Sequence, residues 1–365
     1  MSNRIKGLLL GDAMIPSPGF SAAWERHMKD FGDVVFAGDW VTDNGELQKR
    51  RLDVEHQGPE IEPCEPLVLE HGKDCDVLAG LFIACSSKVM DAMPKLRMIG
   101  VSRAGLENVN VEEATKRGIL VFNVKGRNAH AVSDFAVAMM LAENRNIARA
   151  HYAIKSGKWI KQFSNYGNVV EMHDKVIGLV GFGFIGSLVA KKLSGFDVKV
   201  VVYDPYTDPE RIKAAGCEPI GLEELFKTAD FVSLHARLTD QNKGMINADL
   251  IGLMKPTAYL INTARAGLID QDAIVDALKN HRIMGAALDV YNDEPLPEGS
   301  PYLELDNVTL TTHIAGSTAE ALTNSPYLLL ADMAKFLRGE ECSFIVNKEV
   351  LENPEFKAWL AGVRG

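Results

Sequence analysis

The run Val176-Ile-Gly-Leu-Val-Gly181-Phe-Gly183-Phe-Ile-Gly186 constrains this chain more than any other stretch. An apolar strand-like segment leads into Gly-x-Gly-x-x-Gly, and Ser187-Leu-Val-Ala-Lys-Lys-Leu193 continues with a helix-compatible pattern. A second apolar run, Val198-Lys-Val-Val-Val-Tyr-Asp204, ends in an acid. A lone glycine triplet says little. Strand, glycines, helix, second strand and terminal acid in this order are what a dinucleotide-binding βαβ unit requires. Gly181 allows the tight turn, Gly183 lets the backbone approach a pyrophosphate, and Gly186 lets helix and strand pack closely. Phe184 and Ile185 open the helix whose N–H groups would face the phosphates. Ser187 follows Gly186 with no Lys between them, which excludes a phosphate loop of the Gly-Lys-Ser/Thr kind.

Asp204 sharpens the cofactor. A carboxylate at the end of the second strand accepts hydrogen bonds from ribose hydroxyls and repels a 2′-phosphate. The next residues, Pro205-Tyr-Thr-Asp208, bring no cation, so NAD is favoured over NADP. Asp204-Pro205 also reads as a plain turn-initiating pair, and both readings stand at this point.

The 365 residues suggest about two domains with ample cores. A net charge of −10 argues against nucleic-acid partners and against docking on anionic membranes. The start, Met1 to Asp12, has too short an apolar run for a signal peptide, and no stretch approaches the roughly 18 apolar residues of a membrane span. The five cysteines are scattered, without Cys-x-x-Cys or His pairs at metal spacing, so reduced thiols in a cytoplasm are expected and no metal. The sequon Asn307-Val-Thr309 falls in what reads as a buried strand and carries no expectation of glycosylation.

From Val176 to His313, short β-rich runs alternate with helical patterns. Strands are expected at 176–180, 198–204, 231–235, 258–263, 286–290 and 308–313, with helices at 209–215, 222–227, 247–254 and 270–280. Such alternation implies a doubly wound parallel sheet whose ligands lie beyond the carboxyl ends of the strands. The amino-terminal part has its own rhythm: strands at 7–14, 34–37, 77–83, 98–101 and 119–122, a helix at 20–30, and a surface loop at 53–66. Asn128–Ala150 has the spacing of one long helix, and Ala319–Leu337 that of another after the last strand.

Polar residues cluster at or just past these strand ends. Ile261-Asn-Thr-Ala-Arg265-Ala-Gly267 places an Arg after one strand, Ala287-Leu-Asp289-Val-Tyr-Asn-Asp-Glu294-Pro places two acids after the next, and Thr311-Thr-His313-Ile-Ala-Gly316 a His after the last. Taken in order with the glycine motif, these stretches resemble the D-isomer-specific 2-hydroxyacid dehydrogenases, in particular the phosphoglycerate dehydrogenase-like branch. The likeness spans roughly Asp76 to Asn347.

That resemblance implies an α/β protein of two Rossmann-like doubly wound domains. A cofactor domain (128–316) is inserted in a discontinuous substrate domain (1–127 and 317–365), with a cleft that closes over the substrate. It implies an oxidoreductase that moves hydride between NAD(H) and a small 2-keto or D-2-hydroxy acid, acting as a homodimer through the 128–150 region. The catalytic trio maps onto Arg265, Glu294 and His313. The chemistry needs these types: Arg265 holds the substrate carboxylate and polarises the carbonyl, and His313 donates the proton as charge builds on oxygen. Glu294 orients the imidazole and favours its protonated form. His235, Thr263, Ala264, Asp289 and His313 join Gly181, Gly183, Phe184, Ile185, Gly186 and Asp204 on the cofactor side, with Asp289 accepting from the nicotinamide carboxamide.

On the substrate side, Gly100-Val-Ser-Arg103-Ala104-Gly105 resembles the Arg-Ala-Gly loop of the phosphoglycerate branch. Ile83-Ala84-Cys85-Ser86-Ser87 resembles a second loop in which an Arg precedes Ser86, and Ala84 stands in that Arg's place. One phosphate-binding cation is therefore missing, and a polyhydroxylated or otherwise unphosphorylated 2-keto acid is expected over phosphohydroxypyruvate. The family's His-x-Pro reads His235-Ala-Arg237, where Arg237 is either a solvated loop residue or an extra phosphate contact. Only a short segment follows Asn347, so the regulatory domain some phosphoglycerate dehydrogenases append is not expected. The alternatives are phosphoglycerate dehydrogenase proper, a formate-dehydrogenase-like hydride abstraction (disfavoured because that branch pairs its His with Gln) and a non-catalytic NAD-sensing regulator.

Overall fold

Apolar runs bounded by turn residues form parallel strands here because helices cover both faces of each sheet. The computed structural model describes residues 4–365; the first three residues of the amino-terminal run lie outside it. The chain falls into two compact units, one comprising the chain up to Arg127 together with Thr318–Gly365, the other Asn128–Ser317.

In the first unit the strands are β1 (Ile5–Gly11), β2 (Gly32–Asp39), β3 (Val77–Gly80), β4 (Met98–Val101) and β5 (Leu120–Asn123). They pair in parallel in the order β2-β1-β3-β4-β5. Successive side chains of β1 feed opposite faces: Ile5 and Leu9 join one apolar cluster, Leu8 and Leu10 the other. The helices are α1 (Ser17–His27), α2 (Asn44–Gln57), α3 (Pro66–His71), α4 (Ser87–Ala92) and α5 (Val111–Lys116).

In the second unit α6 (Ala129–Asn144) and α7 (Ile147–Lys155) precede β6 (Val176–Val180), α8 (Phe184–Leu193) and β7 (Lys199–Tyr203). Then come α9 (Pro209–Ala214), β8 (Glu218–Pro219), α10 (Leu222–Thr228), β9 (Phe231–Leu234), α11 (Ala248–Leu253) and β10 (Tyr259–Asn262). The unit ends with α12 (Gln271–Lys279), β11 (Gly285–Leu288) and β12 (Val308–Leu310). The sheet order is β12-β11-β10-β9-β6-β7-β8, every pairing parallel. Connections leave β6 toward opposite sides, so the crevice for a ligand lies at the carboxyl ends of β6 and β9. The chain returns to the first unit in α13 (Ala319–Thr323), α14 (Ser325–Arg338) and α15 (Pro354–Arg364).

Four expectations are corrected. The long helix over 128–150 is two helices, because Asn146 takes a left-handed φ of 57° and donates from Nδ2 to Asn165 Oδ1 at 2.7 Å. The 319–337 pattern is likewise broken at Asn324, with Pro326 in the first turn of α14. The surface loop at 53–66 is instead the end of α2 and a short 3₁₀ turn; Leu47 and Val54 are the buried positions of α2, too sparse a stripe to announce a helix. Finally, β12 stops at Leu310, so His313 lies beyond the strand, at a left-handed φ of 56°.

Candidate active site

The glycine turn has the geometry its sequence announced. Gly181 has φ 101°, and a Cβ there would lie 2.6 Å from Ala236 N. At Gly186 a Cβ would run into the Gly181 carbonyl. At Gly183 a Cβ would meet nothing within 4 Å, so the space above this residue is open. Gly183 caps α8 without any side-chain partner, whereas α2, α9, α11 and α12 are capped by Asp43, Asp208, Asn247 and Asp270. The first N–H groups of α8 are thus left for an anion. Phe184 and Ile185 form that first turn.

Asp204, past β7, receives the Phe182 N–H at 2.6 Å on Oδ2, and the Tyr206 and Thr207 N–H groups at 2.9 and 3.1 Å on Oδ1. The turn reading of this acid applies, and the acid also ties that turn to the glycine loop. A carboxylate offers about four acceptor sites, so one remains. Nearby, at the ends of β9 and β10, both His235 ring nitrogens and Thr263 Oγ1 are shielded and have no partner in the chain. Orphaned buried polar atoms beside an open glycine turn fit a bound dinucleotide. Burial pushes the His235 imidazole down to about 4, so the ring is neutral. Arg237 is exposed, and its carbonyl accepts from Asn242 Nδ2.

Asn262, which sequence reasoning passed over, shapes the arginine loop. Its Oδ1 accepts from Ala264 N at 3.0 Å, and its Nδ2 donates to the Arg265 carbonyl at 2.9 Å. The exposed Arg265 guanidinium donates to the Ala264 carbonyl at 2.7 Å, leaving its other N–H groups for a ligand.

Glu294 and His313 meet as expected: His313 Nδ1 is 2.7 Å from Glu294 Oε2. Glu294 Oε1 accepts from the Tyr291 N–H at 3.0 Å. Burial raises the Glu294 carboxyl, but the hydrogen bonds from His313 and Tyr291 and the charges of His313 and Arg265 outweigh it, holding it below the ordinary carboxylate range. An ionised carboxylate only accepts, so Nδ1 carries the shared proton and Nε2 is the nitrogen free to exchange one. Tyr291, also missed, sets its hydroxyl between the Leu288 and Thr311 carbonyls, at 2.9 and 2.8 Å.

Asp289 also has a structural part beside the one expected of it. It is fully buried, and it accepts from Thr311 Oγ1 at 2.6 Å, Ile314 N at 3.0 Å and Ala315 N at 2.9 Å. These donors lie on both sides of His313. A left-handed backbone at a histidine costs about 1 kcal/mol or more and persists where its surroundings over-determine it. Asp289 supplies that constraint, so in this structure it organises the histidine turn.

The expected substrate residues lie in the other unit. Ser86 precedes α4, with its Oγ buried and unpartnered. Arg103 follows β4, and its Nη2 is 2.9 Å from Glu55 Oε1 and 3.1 Å from Glu107 Oε2. Ala104 is exposed, and at Gly105 a Cβ would strike Glu107.

The chain is similar to known proteins. The family model described as D-isomer specific 2-hydroxyacid dehydrogenase, NAD binding domain, matches residues 137–315. A glyoxylate reductase of Thermofilum pendens is 40% identical over 303 residues, 82% of this chain and 89% of that protein. A D-3-phosphoglycerate dehydrogenase of Methanocaldococcus jannaschii is 38% identical over 286 residues, 77% of this chain and 53% of that protein. A crystal structure of a Treponema pallidum D-lactate dehydrogenase matches with a TM-score of 0.69 at 25% identity, covering 94% of this chain and 99% of that one.

Proposed function

Because this chain belongs to the D-isomer specific 2-hydroxyacid dehydrogenase family, and is thus an NAD-linked enzyme interconverting keto and hydroxy acids, we propose that Arg265, Glu294 and His313 carry its chemistry. NADH, when bound, supplies the hydride. Gly181, Gly183 and Gly186 with the first turn of α8 hold its pyrophosphate, and Asp204 takes the ribose hydroxyls with its remaining acceptor site. His235, Thr263 and Ala264 border the crevice further along the same sheet edge.

Arg265 grips the substrate carboxylate with its free N–H groups and polarises the carbonyl. His313 Nε2 delivers a proton to the carbonyl oxygen, and recovers it in the oxidative direction. Glu294 keeps the ring oriented and balances the imidazolium charge. The observation that carries the assignment is the 2.7 Å contact between His313 and Glu294 at the carboxyl edge of the sheet. In the other unit, Ser86, Arg103, Ala104 and Gly105 are assigned to the remainder of the substrate. The direct test is NADH oxidation by the purified chain with a panel of 2-keto acids. Turnover of none of them would end this reading.

The homodimer is also proposed. α7 and the segment after it expose Tyr152 (74%) and Trp159 (81%), with Ile154 and Tyr166 nearby, an apolar surface of the kind that a partner covers. α6 is largely buried within its own unit, so the contact is assigned to α7 and the residues after it. No helix among the described residues is long and apolar enough to cross a membrane. The five cysteines are unpaired, which suits the proposed cytoplasmic location.

A further inference from the structure

We propose that Arg237, on the loop after β9, supplies the positive charge for the pyrophosphate of NAD. The inference rests on the cofactor seat assigned above and deepens it, by naming the cation of a site otherwise built from N–H groups.

The glycine turn is short of positive charge. Each phosphate of a dinucleotide bears a negative charge, and Phe182, Phe184 and Ile185 fill the positions between the three glycines. The basic residues of α8 stand in its last turn, at Lys191 and Lys192, and Lys192 is taken up by Asp134 and Ser133 Oγ, each at 2.6 Å. His235, beside the turn, is neutral because burial lowers its imidazole to about 4. Asp204 adds a carboxylate, 2.6 Å from the Phe182 N–H. The open amino end of α8 contributes only about half a unit of positive charge.

Arg237 stands where that charge is lacking. Val180 at the end of β6 pairs with Leu234 at the end of β9, so the two strands deliver the glycine turn and the Arg237 loop side by side. The backbones touch: a Cβ on Gly181 would lie 2.8 Å from the His235 carbonyl carbon and 2.9 Å from Ala236 Cα, and one on Gly186 3.6 Å from His235 Cβ. Arg237 is the next residue along. Asn242 fixes its backbone, donating from Nδ2 to the Arg237 carbonyl at 2.8 Å and accepting the Thr239 N–H on Oδ1 at 2.7 Å. The side chain is left free: it is exposed and forms no ion pair among the described residues, although Asp240 is three positions on. A fixed backbone carrying an unpaired guanidinium suits a phosphate, whose oxygens match the planar fork. The unpartnered His235 nitrogens on the same loop mark this edge independently as one that a ligand covers.

The test measures binding of NADH and of ADP-ribose to the full chain by calorimetry. Arg237→Gln should weaken both by about tenfold or more, since both carry the pyrophosphate, and Arg237→Lys should recover part of the loss. The loss should shrink as salt is added, because exposed charges are screened. The thermal midpoint of cofactor-free Arg237→Gln should equal that of the wild type. Wild-type affinity in Arg237→Gln overturns the proposal, as does a loss that salt leaves unchanged. Intact NADH binding with a raised KM for the keto acid would put Arg237 on the substrate, and overturns it as well. Gly183→Val, whose side chain enters open space, tests the seat itself and should abolish NADH binding. If Gly183→Val binds NADH normally while Arg237→Gln does not, the glycine-turn seat falls and Arg237 stands; the reverse result keeps the seat and removes Arg237.

Discussion

The imidazole of His313 meets the carboxylate of Glu294 through Nδ1, at 2.7 Å, and Glu294 is held below the ordinary carboxylate range. The pair is therefore ionised on the glutamate side at neutral pH. His313→Ala should lower turnover by roughly 10²-fold or more while NADH still binds. Glu294→Gln removes the negative charge, so reductive activity should start to fall at a lower pH than in the wild type. An unmoved pH profile would show that the pair does not govern the proton. Arg265→Ala should raise KM and lower kcat together; damage confined to either parameter would contradict its double role.

Asp289 presents only acceptors to three donors around His313. Asp289→Asn turns one oxygen into a donor facing a donor. The cost should be about 1–3 kcal/mol of stability, with a loss of kcat as the histidine turn loosens. Denaturation midpoints and single-turnover rates check this. A variant with wild-type stability and rate would remove Asp289 from the argument.

Asp204 tethers the glycine turn through the Phe182 N–H and keeps one acceptor site, assigned above to ribose. NADH should be preferred to NADPH by at least tenfold, about 1.4 kcal/mol. Asp204→Ala should weaken both cofactors through the slackened turn, and NADH more, so the preference narrows. Equal efficiency with both cofactors in the wild type would refute the assignment.

His235 is neutral in the fold because burial holds its ring at about 4, against an unfolded value of about 6.5. Its folded value is depressed, so the unfolded chain binds the extra proton between these limits. Stability should fall as pH drops from about 6.5 toward 4, by an amount on the order of a few kcal/mol. His235→Gln should flatten that part of the curve. Urea titrations of the cofactor-free protein at pH 7 and pH 5 measure it, and identical pH dependence in both proteins would exclude the ring as the cause.

The strands were legible where burial on both faces leaves a continuous apolar run. Val176–Val180 and Met98–Val101 match their expected limits residue for residue. Breaks that depend on one residue's backbone were not, as at Asn146, whose left-handed turn is fixed by Asn165 far along the chain. The proposed trio stands out in the sequence because its members fall at strand ends in a recognisable order. The structural role of Asp289 could not be read there, since it arises only when the 311–315 segment folds back over β11. The end of α2 was equally hidden, because a helix with two buried positions carries too sparse a stripe to announce itself.

Asp204 follows β7, while Arg265, Glu294 and His313 follow β10, β11 and β12, and both β6 and β9 stand between the two groups in the sheet. The proposed seats of cofactor discrimination and proton transfer thus lie on separate stretches of one edge, without shared hydrogen-bond partners among the contacts described. Changes at the two places should combine additively in free energy. The enzyme could acquire a new nucleotide preference without renegotiating its chemistry, and an engineer could treat the two as independent dials.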